Sequence, residues 1–224
     1  MKKNKIFVAC DSVNIPKIKE IIKKTKNPQL KIGYKFGLEF FNSKNGRNFL
    51  SKLKNEIIFA DLKLHDIPNT CVSTIKAIKD LKVNYLTIHI SSGFNALKSA
   101  KKVANKVKLV GVTILTSLDN KSVKEIGFDR NIKELVLHQA KLASKAKLDA
   151  VVCSPKEVKL IKKVFKKEII TPGIRFNSKK NDQKRTLTPK QAFKNGSDWL
   201  VIGRPITKGN IKKNINRLID HLKQ

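Results

Sequence analysis

Short β-branched or apolar runs alternate with amphipathic stretches along all 224 residues, and this alternation limits the fold more than any other feature of the chain. Eight runs have the character of strands: residues 6–10, 30–33, 57–63, 85–90, 108–115, 150–153, 168–171 and 199–203. Most are continuously apolar, as in strands covered on both faces. Between them, apolar residues recur at helical spacing: Val72, Ile75, Ile78 and Leu81; Leu97, Ala100, Val103 and Val107; Ile211, Ile215, Leu218, Ile219 and Leu222. Ser154-Pro155-Lys156-Glu157 and Thr188-Pro189-Lys190-Gln191 each offer a capping hydroxyl, proline at the first helical position and an acidic or amide residue at the third. Strand followed by helix, eight times over, predicts a (β/α)8 TIM barrel forming a single domain over residues 1–224. An open doubly wound sheet is the competing fold. It would carry a glycine-rich phosphate loop after the first strand, where this chain has Cys10-Asp11-Ser12-Val13.

Composition narrows the class further. No run approaches the roughly 20 apolar residues of a membrane span. The basic start is followed by too few apolar residues for a signal-peptide core, so a cytoplasmic protein without membrane association is expected. Cys10, Cys71 and Cys153 are odd in number and widely spaced, which predicts reduced, packed thiols and not a disulfide framework or zinc site. The net charge of +32 suggests a nucleic-acid or anionic partner. However, lysine is spread along nearly every helix and no aromatics interleave with it, so nonspecific charge is the simpler account and a nucleic-acid partner is not expected. The charge can still steer an anionic substrate.

Barrel active sites lie at the C-terminal ends of the strands. Those ends carry Asp11, Lys31, Asp61 with Lys63, His89, Thr116 with Ser117, Arg175, and Gly203 with Arg204. The densest segment is Asp61-Leu62-Lys63-Leu64-His65-Asp66-Ile67-Pro68-Asn69-Thr70. On a strand, residues two apart share a face, so Asp61 and Lys63 project together. Opposite charges about 4 Å apart attract by roughly 4 kcal/mol at an effective dielectric of 20, which keeps such lysines protonated and such carboxylates ionised. A protonated lysine can stabilise a developing carbanion and then protonate it. A fixed carboxylate beside an anionic substrate group favours that group's departure as a neutral molecule. This charge pattern suits decarboxylation or proton transfer, and no Ser–His type nucleophile pair accompanies it. Asp61 and Asp66 could hold Mg²⁺ through oxygens, but Lys63 between them competes for the position, so no metal is expected. His65 and His89 are expected to be structural, with His65 facing the packing side, and His138 and His221 to be solvated on helices. Thr171-Pro172-Gly173-Ile174-Arg175 and Ile202-Gly203-Arg204-Pro205 follow the last two strands, where barrels often bind phosphate. The polar stretch 176–187 between them is expected to be a lid.

The segment 61–70 closely resembles the catalytic signature of the orotidine 5′-phosphate decarboxylases in their short bacterial form. Supporting matches are Lys31-Ile32-Gly33, Val112-Thr113-Ile114-Leu115-Thr116-Ser117, Val151-Val152-Cys153-Ser154, and the two loops just named. The resemblance runs through essentially the whole chain. It implies conversion of orotidine 5′-phosphate to UMP and CO₂ in de novo pyrimidine biosynthesis, with no metal and no organic cofactor. It implies that Lys63 donates a proton to C6 of the pyrimidine, that Asp61 sits beside the scissile carboxylate, and that Lys31 links the two aspartates and the ribose. Asp11 would hold ribose hydroxyls, Thr116 or Ser117 would contact the base, and Arg175, Gln183, Gly203 and Arg204 would bind the phosphate. Asp66 and Thr70 would reach into a neighbouring subunit's site, making a homodimer functional. Cys10, Leu64 and Phe94 depart from residues common in the family, which bears on packing under the site and leaves the charged set intact. Two other readings remain open: a Mg²⁺-dependent sugar-phosphate lyase or decarboxylase on the same barrel, and a nucleic-acid-binding protein.

Overall fold

The computed structural model describes residues 3–176 and 186–223. Eight strands, β1 (Asn4–Ala9), β2 (Leu30–Gly37), β3 (Ile57–Leu64), β4 (Tyr85–His89), β5 (Lys108–Val112), β6 (Ala150–Val152), β7 (Glu168–Thr171) and β8 (Trp199–Ile202), follow one another around a closed barrel. Every neighbouring pair is parallel, including β1 with β8, which closes the cylinder. Helices connect the strands on the outside, so the architecture is the expected (β/α)8 barrel. No helix among the described residues is long and apolar enough to cross a membrane.

Local chemistry sets some element boundaries and not others. Thr188 forms a reciprocal cap with Gln191 at the start of helix Pro189–Lys194. Ser154 and Glu157 form a similar contact, the Ser154 N–H donating to the glutamate at 3.2 Å, but the regular helix begins later, at Val158–Ile161. The helical spacing read over 72–81 is split: Pro68–Ala77 is α-helical, a 3₁₀ turn covers Lys79–Leu81, and Lys82 closes it in the left-handed region. Two strand ends also differ from those expected. β2 continues past Gly33 to Gly37, whereas β5 stops at Val112, short of Leu115.

The barrel's interior floor is aromatic. Phe7, Phe59, Tyr85 and Trp199 are buried there with Val110, Ala150 and Ile170, and the Phe7 and Trp199 rings stack with centroids 4.0 Å apart. Gly33 makes room for this layer, because a Cβ at that position would lie 2.6 Å from the Phe7 ring. A second, larger apolar layer lies between strands and helices and includes Tyr34 and Phe36 of β2. Cys10, Cys71 and Cys153 are free and buried, as their spacing suggested, and burial pushes the Cys10 thiol up to about 12. His138 is exposed on its helix, but His221 is half-buried and meets Phe176 edge-on, 6.0 Å between centroids, contrary to the solvated position expected for it.

Beneath the aromatic floor, one carboxylate ties four strand beginnings together. Glu168 accepts from Lys5 at 3.2 Å, Lys108 at 2.9 Å and the Tyr85 hydroxyl at 2.9 Å, and Trp199 Nε1 lies 3.4 Å away. Burial alone would raise the Glu168 carboxyl, but the hydrogen bonds from Lys108 and Tyr85 outweigh it and hold the group below the ordinary glutamate value. A depressed carboxyl stabilises the fold above its unfolded pKa, and that contribution is lost as pH falls through the folded value. Glu168→Gln is therefore expected to lower unfolding free energy by about 1–2 kcal/mol near neutral pH, given its partly solvated partners. Denaturant titrations followed by Trp199 fluorescence should show the gap to the unsubstituted chain narrowing on acidification.

Candidate active site

Period-two alternation sets the composition of the barrel mouth. Phe7 on β1 is followed inward by Ala9 and then Asp11, Gly33 on β2 by Lys35, Phe59 on β3 by Asp61, and Trp199 on β8 by Val201 and Gly203. All except the floor residues Phe7, Gly33 and Trp199 line a cavity of about 440 Å³ at the C-terminal end of the barrel, with Lys63, Ile114, Thr116, Ser117, Arg175 and Arg204 among its other walls. Asp11, Lys35, Asp61 and Lys63, on or just past β1–β3, gather four charges on one flank.

The charged flank is a ladder of alternating sign. Lys35 Nζ lies 3.2 Å from Asp11 Oδ1 and 3.3 Å from Asp61 Oδ2, and Lys63 Nζ lies 2.9 Å from Asp61 Oδ1. The side chains of Asp61 and Lys35 are only 13% and 14% exposed, that of Lys63 is 35% exposed, and that of Asp11 is 62% exposed. Burial by itself would raise the Asp61 carboxyl, but Lys35 and Lys63 outweigh it and hold the pKa below the usual carboxylate range. Burial would lower Lys35, and Asp61 and Asp11 reverse that, so it stays protonated. Lys63 sits at φ +48°, a left-handed conformation uncommon for a lysine inside a strand. His89, at the end of β4, is pushed below the ordinary imidazole value by burial, then by His65 and Lys63. Its ring packs on His65 with centroids 5.1 Å apart, and His65 is exposed, so it does not face the packing side as expected.

A model for the family described as "Orotidine 5′-phosphate decarboxylase / HUMPS family" matches residues 4–215. The orotidine 5′-phosphate decarboxylase of Wolbachia pipientis subsp. Culex pipiens (strain wPip) is 45% identical over 214 residues, covering 92% of this chain and 93% of that protein. This chain belongs to the orotidine 5′-phosphate decarboxylase / HUMPS family. Among solved structures, the orotidine 5′-phosphate decarboxylase from Lactobacillus acidophilus superposes with a TM-score of 0.82 at 32% identity, covering 100% of both chains. The enzyme from Methanocaldococcus jannaschii, solved with the inhibitor BMP, shares the fold at a TM-score of 0.79 and 20% identity.

Against this family background, the residues expected from sequence fall into four groups. Asp11, Asp61, Lys63, Thr116, Ser117, Arg175, Gly203 and Arg204 all line the one cavity. Asp66 and Thr70 do not line their own chain's cavity. They lie on an exposed run, 65–70, in which Ile67 is 65% exposed, and Asp66 Oδ1 accepts the local Ile67 N–H at 2.7 Å. Gln183 lies outside the described residues, as does most of the expected lid; the stretch is bracketed by Arg175 N–H donating to Leu187 O at 3.1 Å.

Lys31 requires correction. It is exposed near the start of β2, in register with Lys5, at the barrel's opposite end. Four residues at about 3.3 Å each separate it from the mouth position, roughly 13 Å. Lys35 links the two aspartates instead. The strand was expected to end at Gly33, which made Lys31 its last charged residue. The signal for the longer strand was present: Leu30, Ile32, Tyr34 and Phe36 alternate with Lys31, Gly33 and Lys35 straight through the glycine.

Lys35→Ala leaves Asp61 with one cation fewer in a buried setting, and a loss of about 2–4 kcal/mol in unfolding free energy is expected near neutral pH. The loss should shrink at acid pH, because the paired Asp61 carboxylate stabilises the native state only while ionised. Lys31→Ala should change stability by less than about 0.5 kcal/mol in the same denaturation series.

Proposed function

We propose that this chain decarboxylates orotidine 5′-phosphate to UMP and CO₂ as a step of de novo pyrimidine biosynthesis, without a metal or organic cofactor. The observation that carries this reading is the ladder Asp11–Lys35–Asp61–Lys63 at the mouth of a barrel whose family and near relatives bear that enzyme's name. Both oxygens of Asp61 already lie beside ammonium groups, which would compete with a cation for the position.

In this mechanism the nucleotide lies across the cavity with its phosphate toward Arg175, Gly203 and Arg204 and its base toward Thr116 and Ser117. Asp11 and Lys35 hold the ribose, and the substrate carboxylate is pressed against Asp61. The C6–carboxylate bond breaks, CO₂ departs, and the electron pair stays on C6. Lys63 Nζ stabilises that charge and transfers a proton to C6. The neutral amine then regains a proton from solvent. Binding energy gathered at the phosphate and ribose is used at the distant reacting carbon, where it raises kcat as well as affinity. The exposure of Asp66, Ile67 and Thr70 supports a homodimer in which Asp66 and Thr70 complete the partner's site.

Lys63→Ala is expected to reduce kcat by at least about 10³-fold while circular dichroism still shows the parental fold, because it removes the proton donor and the carbanion's counter-charge together. Arg204→Ala should weaken UMP binding by about 10–100-fold, the worth of a charge-assisted contact. Ultraviolet assays of orotidine 5′-phosphate consumption and calorimetric UMP titrations measure these. EDTA should leave turnover unchanged, and full loss of activity on chelation would replace this reading with a Mg²⁺-dependent one.

Mixing inactive Lys63→Ala with inactive Asp66→Asn should restore about a quarter of parental activity, since a randomly mixed dimer population then contains one site in four free of both substitutions. No recovery after subunit exchange would place Asp66 in its own chain's site.

A further inference from the structure

The ladder depends on a defect in the sheet. β3 and β4 pair at Phe59 with Tyr85 and at Ala60 with Leu86, then resume at Leu64 with Ile88. Asp61, Leu62 and Lys63 therefore stand opposite a single β4 residue, Thr87. Excess residues on one strand leave backbone groups without ladder partners and re-aim the side chains they carry. Thr87, fully buried, compensates for this with its hydroxyl. Oγ1 accepts the Lys63 backbone N–H at 2.7 Å and lies 3.2 Å from Asp61 Oδ1. Because the oxygen is already an acceptor for the amide, its own proton is directed to the carboxylate. The same Oδ1 takes the Lys63 ammonium. One atom thus fixes the backbone of the lysine, at φ +48°, and one oxygen of the aspartate against which that lysine is held.

We infer that Thr87 is a positioning residue for the decarboxylation proposed above, its hydroxyl clamping the Lys63 backbone and the Asp61 carboxylate in their reactive arrangement. The inference rests on that functional reading. Thr87 touches no cavity space of its own and acts entirely through the two residues it holds. A hydroxyl is required because a single atom must both accept and donate. Valine keeps the shape and the β-branching but can do neither.

The test compares Thr87→Val with Thr87→Ser. The valine variant is expected to lower kcat by about 10–100-fold with KM for orotidine 5′-phosphate within about 3-fold, as a small misplacement of reacting groups does. Loss of a donor to the ionised carboxylate raises the Asp61 pKa, so the acid limb of its kcat profile should move to higher pH. Serine should return both kcat and the acid limb to near the parental values. A valine variant with parental kcat, a serine variant as impaired as valine, or an acid limb that does not move would each overturn the inference. If valine prevents folding, serine and alanine, which differ only in the hydroxyl, are compared in the same way. Amide exchange at Lys63 without substrate separates the two claims, being faster in the variants lacking the hydroxyl and slow in serine. An unsubstituted chain that leaves orotidine 5′-phosphate unconsumed defeats the functional reading, whatever the exchange data show.

Discussion

A carboxylate that is almost entirely enclosed, shared between two ammonium groups, governs this molecule. Asp61 has 13% of its side chain exposed and a lysine on each oxygen. Enclosing an ion is unfavourable unless its partners are close and its lone pairs are filled. Here the filling is done by groups from three strands, Lys35 on β2, Lys63 on β3 and the Thr87 hydroxyl on β4, so the charge balance exists only when the barrel is assembled. Removing either lysine leaves an imbalance in the interior. The arrangement holds charge ready at one spot, where a substrate can exploit it without reorganising the protein.

The same electrostatic solution appears at the barrel's other pole, with a different outcome. Glu168 is also shared by two lysines, Lys5 and Lys108. There the carboxylate sits under a stacked aromatic layer, next to Trp199 and Tyr85, and the only task available is to tie strand beginnings together. The two ends differ in what covers the charge. The aromatic side chains close one end, whereas small residues at the other, Ala9, Val201 and Gly203, leave an open cavity. Function is thus separated from structural support along a single axis by the size of the inward-facing residues.

Much of this was legible in the sequence because the barrel repeats one unit, and eight strand-like runs are hard to arrange otherwise. The mouth residues followed from strand ends wherever an end was sharply marked, as at Asp11, Asp61 and Gly203. Lys35 is hard to find because Gly33 looks like the stop of β2, although the alternation runs on through Tyr34 and Phe36. Gly33 answers to the Phe7 ring across the strand pair, a long-range packing fact that local propensity does not carry. The defect in β3 was invisible for a similar reason. Excess residues in a strand have no compositional mark, and Thr87 within Tyr85–His89 looks like an ordinary β-branched strand residue. The exposure of Asp66 and Thr70 outside their own cavity agrees with the resemblance, which implies that they reach towards a neighbouring subunit.

The Phe7–Gly33 contact has a further consequence. A methyl group at position 33 would stand 2.6 Å from the Phe7 ring, so the volumes at these two sites are coupled. Drift at either site is constrained by the other. A descendant could enlarge residue 33 only after its partner had shrunk, and an enlarged 33 would then block the ring's return. Homologues should consequently covary here, large opposite small. This linkage passes directly beneath Lys35, so evolutionary repacking of the floor would also alter the footing of the lysine above it.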